Sequence, residues 1–190
     1  DHKLNFIYYG TSNPGPWTAI VRGNDSSDIG KFTNLYTASV VALNPDTGNI
    51  VWHYQFTPHD AWDYDGVNEL VFADLPIDGK PHPVVMQASK NGFLYALDRA
   101  TGAVLSAHNY VYVDWTLGID PATHRPRPNP AADYSKGARF VAPGMAGGHI
   151  NGRAGLEGTM LGPSVFSGRV AGGWAAHASG HGQGFVGRPN

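Results

Sequence analysis

The chain contains no cysteine among its 190 residues. That excludes a disulfide framework and any thiolate metal site, and it leaves the redox compartment open. Charge is also scarce. Asp, Glu, Lys and Arg make up 15% of the residues, and the formal net charge is -2. So even a balance offers no basic face for nucleic acid and no charge run for a membrane surface. No apolar run is long enough to span a bilayer. A secretory leader is not visible at the start, which reads Asp1-His2-Lys3 without an initiator methionine. The expectation is a processed or partial chain. A helical hydrophobic period is missing as well. What the chain has instead is turn formers and aromatics: 25 Gly, 14 Pro, nine Tyr and five Trp. Short strands separated by turns use both, so the reading is all-β.

Residues 4–10 are apolar and β-prone, and they run into a Gly/Ser/Asn/Pro turn. Residues 35–43 form a second run, ended by Asn44-Pro45-Asp46-Thr47-Gly48. There Pro presets φ, Asp bonds back to the chain and Gly takes positive φ. Residues 49–54 resume as a strand. Residues 83–88 and 91–98 read as a hairpin turning at Lys90-Asn91-Gly92. An internal repeat is present: Ala42-Leu43-Asn44-Pro45-Asp46-Thr47-Gly48 returns 54 residues later as Ala96-Leu97-Asp98-Arg99-Ala100-Thr101-Gly102. A strand-turn-strand period of this size suggests propeller blades; the plainer alternative is two similar hairpin turns. The C-terminal part differs. From Gly144 onward there are 14 glycines in 47 residues, one acidic residue (Glu157) and no lysine. Such a composition does not promise a packed core.

The segment with most chemical content is Trp62-Asp63-Tyr64-Asp65-Gly66. Carboxylates at i and i+2 project to one side of an extended backbone. With the amide of Asn13 they make an all-oxygen set suited to a hard cation. Plainer roles compete for each residue. Asp-x-Asp beside Gly commonly caps a loop, Asn13 before Pro14 is a turn residue, and Lys90 in a hairpin turn is ordinarily solvated. Trp17, Trp52 and Trp62 are assigned to packing. His53, His59 and His82 lack the compact spacing of a zinc site. The His59-Asp60 pair is expected to hold the loop that presents Asp63.

Three stretches together resemble the pyrroloquinoline-quinone (PQQ) dependent alcohol dehydrogenases. They are Tyr8-Tyr9-Gly10-Thr11-Ser12-Asn13-Pro14-Gly15-Pro16-Trp17, Leu35-Tyr36-Thr37-Ala38-Ser39-Val40-Val41-Ala42-Leu43 and Thr57-Pro58-His59-Asp60-Ala61-Trp62-Asp63-Tyr64-Asp65-Gly66. The hairpin from Lys90 to Arg99 adds to the likeness, which covers about residues 4 to 149. It implies a fragment, about three blades, of an eight-bladed β-propeller. Residues 1–149 would be propeller blades. Residues 150–190, where the likeness stops after Gly147-Gly148-His149, would be a disordered or out-of-frame tail. Resequencing around codon 149 tests the second; an intact frame defeats it. The repeat resembles the family's tryptophan-docking motif, with Asn44 in place of the usual Asp and Ser106 in place of the second Trp. Three upstream family features are missing here: a metal-binding Glu, a Trp that stacks on the quinone and an adjacent-Cys disulfide.

The resemblance further implies a periplasmic enzyme that oxidises primary alcohols to aldehydes by hydride transfer to metal-activated PQQ, with a c-type cytochrome as electron acceptor. Asn13, Asp63 and Asp65 would hold the metal, Asp63 would be the base, and Lys90 would contact the quinone. Asp65 points to a lanthanide ion, with Ca2+ second, because a trivalent ion wants more anionic oxygen. Lys90 weakly favours alcohols broader than methanol. A homodimer of the full-length protein fits the family, and the fragment alone is expected to be inactive. Two other readings remain at this point, a non-catalytic propeller scaffold for protein binding and a secreted calcium-binding adhesion module. The first has no need of the Asn13, Asp63, Asp65 and Lys90 set, and the second would repeat its Asp-rich loop in every blade.

Overall fold

The computed structural model describes residues 1–16, 22 and 32–132. Trp17 and the whole glycine-rich segment from Gly144, with the expected boundary at residue 149, lie outside the described residues. Nine strands occur among those described: β1 (Ile7–Gly10), β2 (Ser39–Leu43), β3 (Ile50–Gln55), β4 (Val71–Ile77), β5 (Lys80–Ala88), β6 (Phe93–Asp98), β7 (Val104–Asn109), β8 (Thr116–Ile119) and β9 (Pro126–Pro128). They form three antiparallel sheets with orders β1-β2-β3, β4-β5-β6-β7 and β8-β9. Among the described residues no helix is long and apolar enough to cross a membrane.

Period-two patterning explains how the sheets meet. Trp52, Tyr54 and, just past β3, Phe56 are buried on the inner face of the first sheet. Phe93, Tyr95 and Leu97 do the same on β6. These two faces interdigitate: the Tyr95 ring centroid lies 5.4 Å from that of Tyr54 and 4.8 Å from that of Phe56. Val40, Ala42, Val85, Tyr64 and Trp115 complete one core cluster. Burying each large side chain there contributes about 1.5–3 kcal/mol. Successive antiparallel sheets packed face to face are the build of a partial β-propeller, the architecture expected from the sequence.

The two copies of the repeat are structurally equivalent. The side-chain oxygen of Asn44 accepts the N–H of Asp46 and of Thr47, at 2.9 and 3.1 Å. In the second copy Asp98 accepts from Ala100 and Thr101, at 2.9 and 2.7 Å. Each turn then closes with a glycine N–H donating to the same residue's carbonyl, Gly48 to Asn44 and Gly102 to Asp98, both at 2.8 Å. Both strand pairs shift register one step earlier, at Ala42/Leu43 and Ala96/Leu97. A third copy escaped the sequence reading. Asp120 accepts from Ala122 and Thr123, and His124 N–H closes on the Asp120 carbonyl at 2.8 Å. His124 stands where the others have glycine, with φ 54°, so the Thr-Gly signature is absent there.

The second turn is also the joint between the first two sheets. The Trp52 indole N–H donates to the Arg99 carbonyl at 3.2 Å, and the Tyr8 hydroxyl donates to the same oxygen at 2.8 Å. The indole lies flat against Gly102, where a Cβ would come within 2.5 Å of Trp52 Cε3.

Strands β4 and β7 were not foreseen. Pro76 and Pro81 face each other near the end of the β4-β5 ladder, beside the Asp78-Gly79 turn. Proline is tolerated at such margins. Residues 35–38, read as part of the second strand, are turn instead: Asn34 and Ala38 have φ 57° and 47°, and the Thr37 hydroxyl bonds the Asn34 carbonyl at 2.7 Å.

Gly48 and Gly102 isolate the docking contact, since their φ values are 72° and 73° but only Gly102 meets a neighbour. Gly48→Ala should cost about 1–2 kcal/mol from left-handed strain alone. Gly102→Ala should cost about 1–3 kcal/mol more, because the indole must move. Paired denaturant melts measure the difference; equal losses would remove the Trp52 docking contact from the account.

Candidate functional site

Three loops meet at one end of the sheets. Residues 11–13 leave β1, residues 56–66 follow β3, and residues 89–92 turn between β5 and β6. Close backbone approach brings the first two together. Thr11 N–H donates to the Ser39 carbonyl and Gly66 N–H to the Thr11 carbonyl, both at 2.8 Å. A Cβ on Gly66 would lie 2.5 Å from the Ser39 carbonyl oxygen, and one on Gly10 would strike the Gly66 carbonyl. Only glycine fits either position, and the crowding sets Asp65 beside Asn13.

Asp60 shapes the loop that follows β3. It is 1% exposed. Its Oδ1 accepts the Trp62 N–H at 2.9 Å, and its Oδ2 accepts those of Tyr64 and Asp65 at 2.8 and 3.0 Å. The chain therefore wraps around one carboxylate, with His59, Asp63 and Asp65 at φ 53°, 62° and 60°. This corrects the expected geometry. Asp63 and Asp65 do not share a side of an extended strand; left-handed kinks, which Asp tolerates better than most residues, turn their carboxylates toward a common neighbour. The expected holding role falls to Asp60, while His59 anchors the loop elsewhere through its Nδ1, 2.6 Å from the Phe32 carbonyl. Burial raises the Asp60 carboxyl above its usual range, and the three N–H donors offset part of that rise.

That common neighbour is Lys90. Its Nζ lies 2.9 Å from Asp65 Oδ2 and 3.6 Å from Asp63 Oδ2. Burial disfavours the ammonium, yet Asp65, Asp63 and Asp60 together hold Lys90 above its ordinary value. The other Asp65 oxygen, Oδ1, accepts the Asn13 backbone N–H at 2.6 Å and the Ser12 hydroxyl at 2.9 Å. The Ser12 hydroxyl is also 2.9 Å from Asn13 Oδ1. Asp65 thus ties all three loops together with a side chain 9% exposed, whereas that of Asp63 is 27% exposed.

All four residues expected from the sequence, Asn13, Asp63, Asp65 and Lys90, therefore meet. Sequence reading missed two others. Ser12 bridges Asn13 and Asp65, and nothing in its pattern signals that. Asn91 is fully buried beside Lys90: its side-chain amide donates to the Phe56 carbonyl at 3.1 Å and the Tyr95 hydroxyl at 2.9 Å, and its backbone carbonyl accepts the Trp115 indole N–H at 2.8 Å. An Asn at a hairpin turn reads simply as a turn former. Trp62 stacks on Tyr64, centroids 5.7 Å apart, and both pack against Trp115. His82 faces Asp98 at 2.7 Å, and His53 lies edge-on to Tyr36.

The donor set suits a hard cation. Two carboxylates already converge on a positive group, the Lys90 ammonium, and an amide oxygen lies one hydroxyl away. Among the described residues no three His, Asp or Glu side chains form a metal-holding group.

Comparison with known proteins adds family context. Residues 1–116 match the family described as "Glucose/ethanol/alcohol dehydrogenase, beta-propeller domain". Quinohemoprotein alcohol dehydrogenase ADH-IIG of Pseudomonas putida is 47% identical over 152 residues, 78% of this chain and 20% of that protein. The lanthanide-dependent methanol dehydrogenase of Methylacidiphilum fumariolicum (strain SolV) is 41% identical over 151 residues, 78% of this chain and 23% of that protein. A solved europium-containing methanol dehydrogenase superposes with a TM-score of 0.64 at 42% identity, over 70% of this chain and 22% of that one. The chain spans about a fifth of the length of the relatives it matches.

Asp60 and Asp63 should respond differently to amide substitution. Asp60→Asn leaves an NH2 group facing buried N–H donors and should cost about 1–3 kcal/mol. Asp63→Asn keeps a residue that accepts positive φ and should stay within about 0.5 kcal/mol. Guanidinium melts followed by Trp fluorescence distinguish them. Equal costs would remove Asp60 from its organising role.

Proposed function

Since the chain belongs to the glucose/ethanol/alcohol dehydrogenase β-propeller family, we propose that the protein of which it is part oxidises primary alcohols to aldehydes with PQQ and a bound metal ion. The observation that carries this reading is the convergence of Asp63 and Asp65 on Lys90, with Asn13 alongside. Asn13, Asp63 and Asp65 would contribute oxygens to the ion, a lanthanide in first place and Ca2+ in second. When bound, the quinone and its ion supply the hydride acceptor and the Lewis acid.

The chain's own residues do the rest. Asp63, the more open carboxylate, takes the alcohol proton at a side-chain oxygen; a neighbouring cation keeps it ionised for that task. Lys90 presents an ammonium to the anionic cofactor. Asp60 fixes the loop from below, so Asp63 is aimed by backbone geometry rather than by its own packing. Trp62, packed on Tyr64 and Trp115, belongs to the core beneath the loop. Electrons would leave to a c-type cytochrome, in keeping with relatives named quinohemoproteins. A periplasmic location and a homodimer of the full-length protein belong to the same proposal.

The test is dye-linked alcohol oxidation by the full-length protein loaded with PQQ and either La3+ or Ca2+. Asp63→Asn should lower turnover about 10²–10⁴-fold, as loss of a general base does, without loss of the fold. Undiminished turnover would overturn the assignment of Asp63 as base. The 190-residue chain alone should show none.

A further inference from the structure

Two adjacent residues of the Asp60 loop are held from one short stretch of the second sheet. Lys90 takes the Asp65 side chain, with its Nζ 2.9 Å from Oδ2. Three residues earlier, near the end of β5, the side-chain amide of Gln87 takes the backbone. Its NH2 group donates to the Gly66 carbonyl at 2.9 Å and to the Asn68 carbonyl at 2.8 Å. Turned the other way, the amide would set its oxygen against both carbonyls, so its orientation is fixed. The stretch between the two grips is rigid. Ser89 is fully buried, its N–H donates to the Phe93 carbonyl at 2.9 Å, and its own carbonyl accepts the Tyr110 hydroxyl at 2.7 Å.

Gln87 is 2% exposed, and an amide in such a place is costly unless it is hydrogen-bonded. Both N–H groups are used, whereas Oε1 is buried without a hydrogen-bond partner among the described residues. An apolar side chain of similar length would fill the space without that cost. What the position supplies is therefore its pair of donors. They reach the loop where it is most crowded: the Gly66 N–H is bonded to the Thr11 carbonyl, a Cβ on Gly66 would meet Ser39, and the Gly66 carbonyl lies against Gly10. Asp60 gathers N–H groups inside the loop; Gln87 gathers carbonyls at its end.

Resting on the alcohol-oxidation reading above, we propose that Gln87 is a positioning residue for the loop of Asp63 and Asp65, an uncharged grip that holds their backbone in register with the Lys90 turn. The hold of Lys90 on Asp65 is ionic, so it depends on what else the ammonium faces. The hold of Gln87 is a pair of neutral N–H to carbonyl bonds, and it stays the same when charges arrive at the site. Gln87 acts through the Gly66 peptide, next to Asp65 in the chain, and not on the reacting atoms.

Dye-linked alcohol oxidation by the full-length protein, loaded with PQQ and La3+ or Ca2+, tests this. Gln87→Met keeps the volume and removes both donors. It should lower kcat roughly 10- to 100-fold, as loss of a partner behind a metal-site residue does, and leave KM for the alcohol within about twofold. The ion concentration for half-maximal activity should rise as well. Gly48→Ala, in the first turn and away from the site, is the control for lost stability and should leave all three values unchanged. Where Gln87→Met does not fold, hydrogen exchange of the wild-type protein decides: the Asp65 and Gly66 N–H groups should be protected in the metal-free protein as in the loaded one. Wild-type kinetics in Gln87→Met, a loss matched by Gly48→Ala, or exchange at the rate of an open loop once the ion is removed overturns the positioning role and leaves the alcohol-oxidation reading intact. No turnover by the loaded wild-type protein overturns both.

Discussion

A side-chain oxygen closing on backbone N–H groups a few residues ahead is the interaction on which this chain is built. Asn44, Asp98 and Asp120 each use it to make the turn between two strands. Asp60 uses it three times over to fold the loop that carries Asp63 and Asp65. In each case a short polar side chain satisfies N–H groups that the reversal would otherwise leave without partners. At the three turns the carboxylate or amide is only partly buried. At Asp60 it is buried, and its raised protonation range records the cost of burial. The same device thus makes both the ordinary turns and the one loop with chemical content. Burial separates the two uses.

The site itself is a meeting of segments far apart in the chain. Residues 12–13, 60–65 and 90–91 come from three separate connections, and Asp65 is bonded to the first and the last. Sheet packing delivers them to the same place. Glycines at 10 and 66 then permit the final approach, with a backbone separation that no side chain would tolerate. Asn91, bonded to one sheet through Phe56 and to the other through Tyr95, keeps the Lys90 turn in step with the loop it faces. An ion bound to Asn13 and the two carboxylates would fasten the first two loops to each other, so its affinity and the stability of that junction are linked.

What was legible in the sequence follows from local chemistry. Strands β2, β3, β5 and β6 were visible because their apolar residues are β-branched or aromatic and their ends are Gly, Pro, Asn or Asp. The first two turns were visible because Thr-Gly repeats. The third was not, because His124 stands in the glycine's place with φ 54°, its carbonyl accepting the Tyr54 hydroxyl at 2.8 Å. Strand β4 carries Pro76, whose missing donor matters little near the end of a ladder. At the site, residue types named the participants correctly, while the inference from strand alternation failed. Asp63 and Asp65 are neighbours because of Asp60, and a buried capping carboxylate leaves no period to read. Ser12 and Asn91 owe their roles wholly to tertiary contacts.

Gly102 has one more implication. The first sheet meets the second turn with the Trp52 indole pressed against a residue with nothing beyond its Cα. A propeller returns to its starting point only when the tilts between its sheets add up to a full revolution. A single methyl group at that spot would act as a shim between the indole and the turn it rests on.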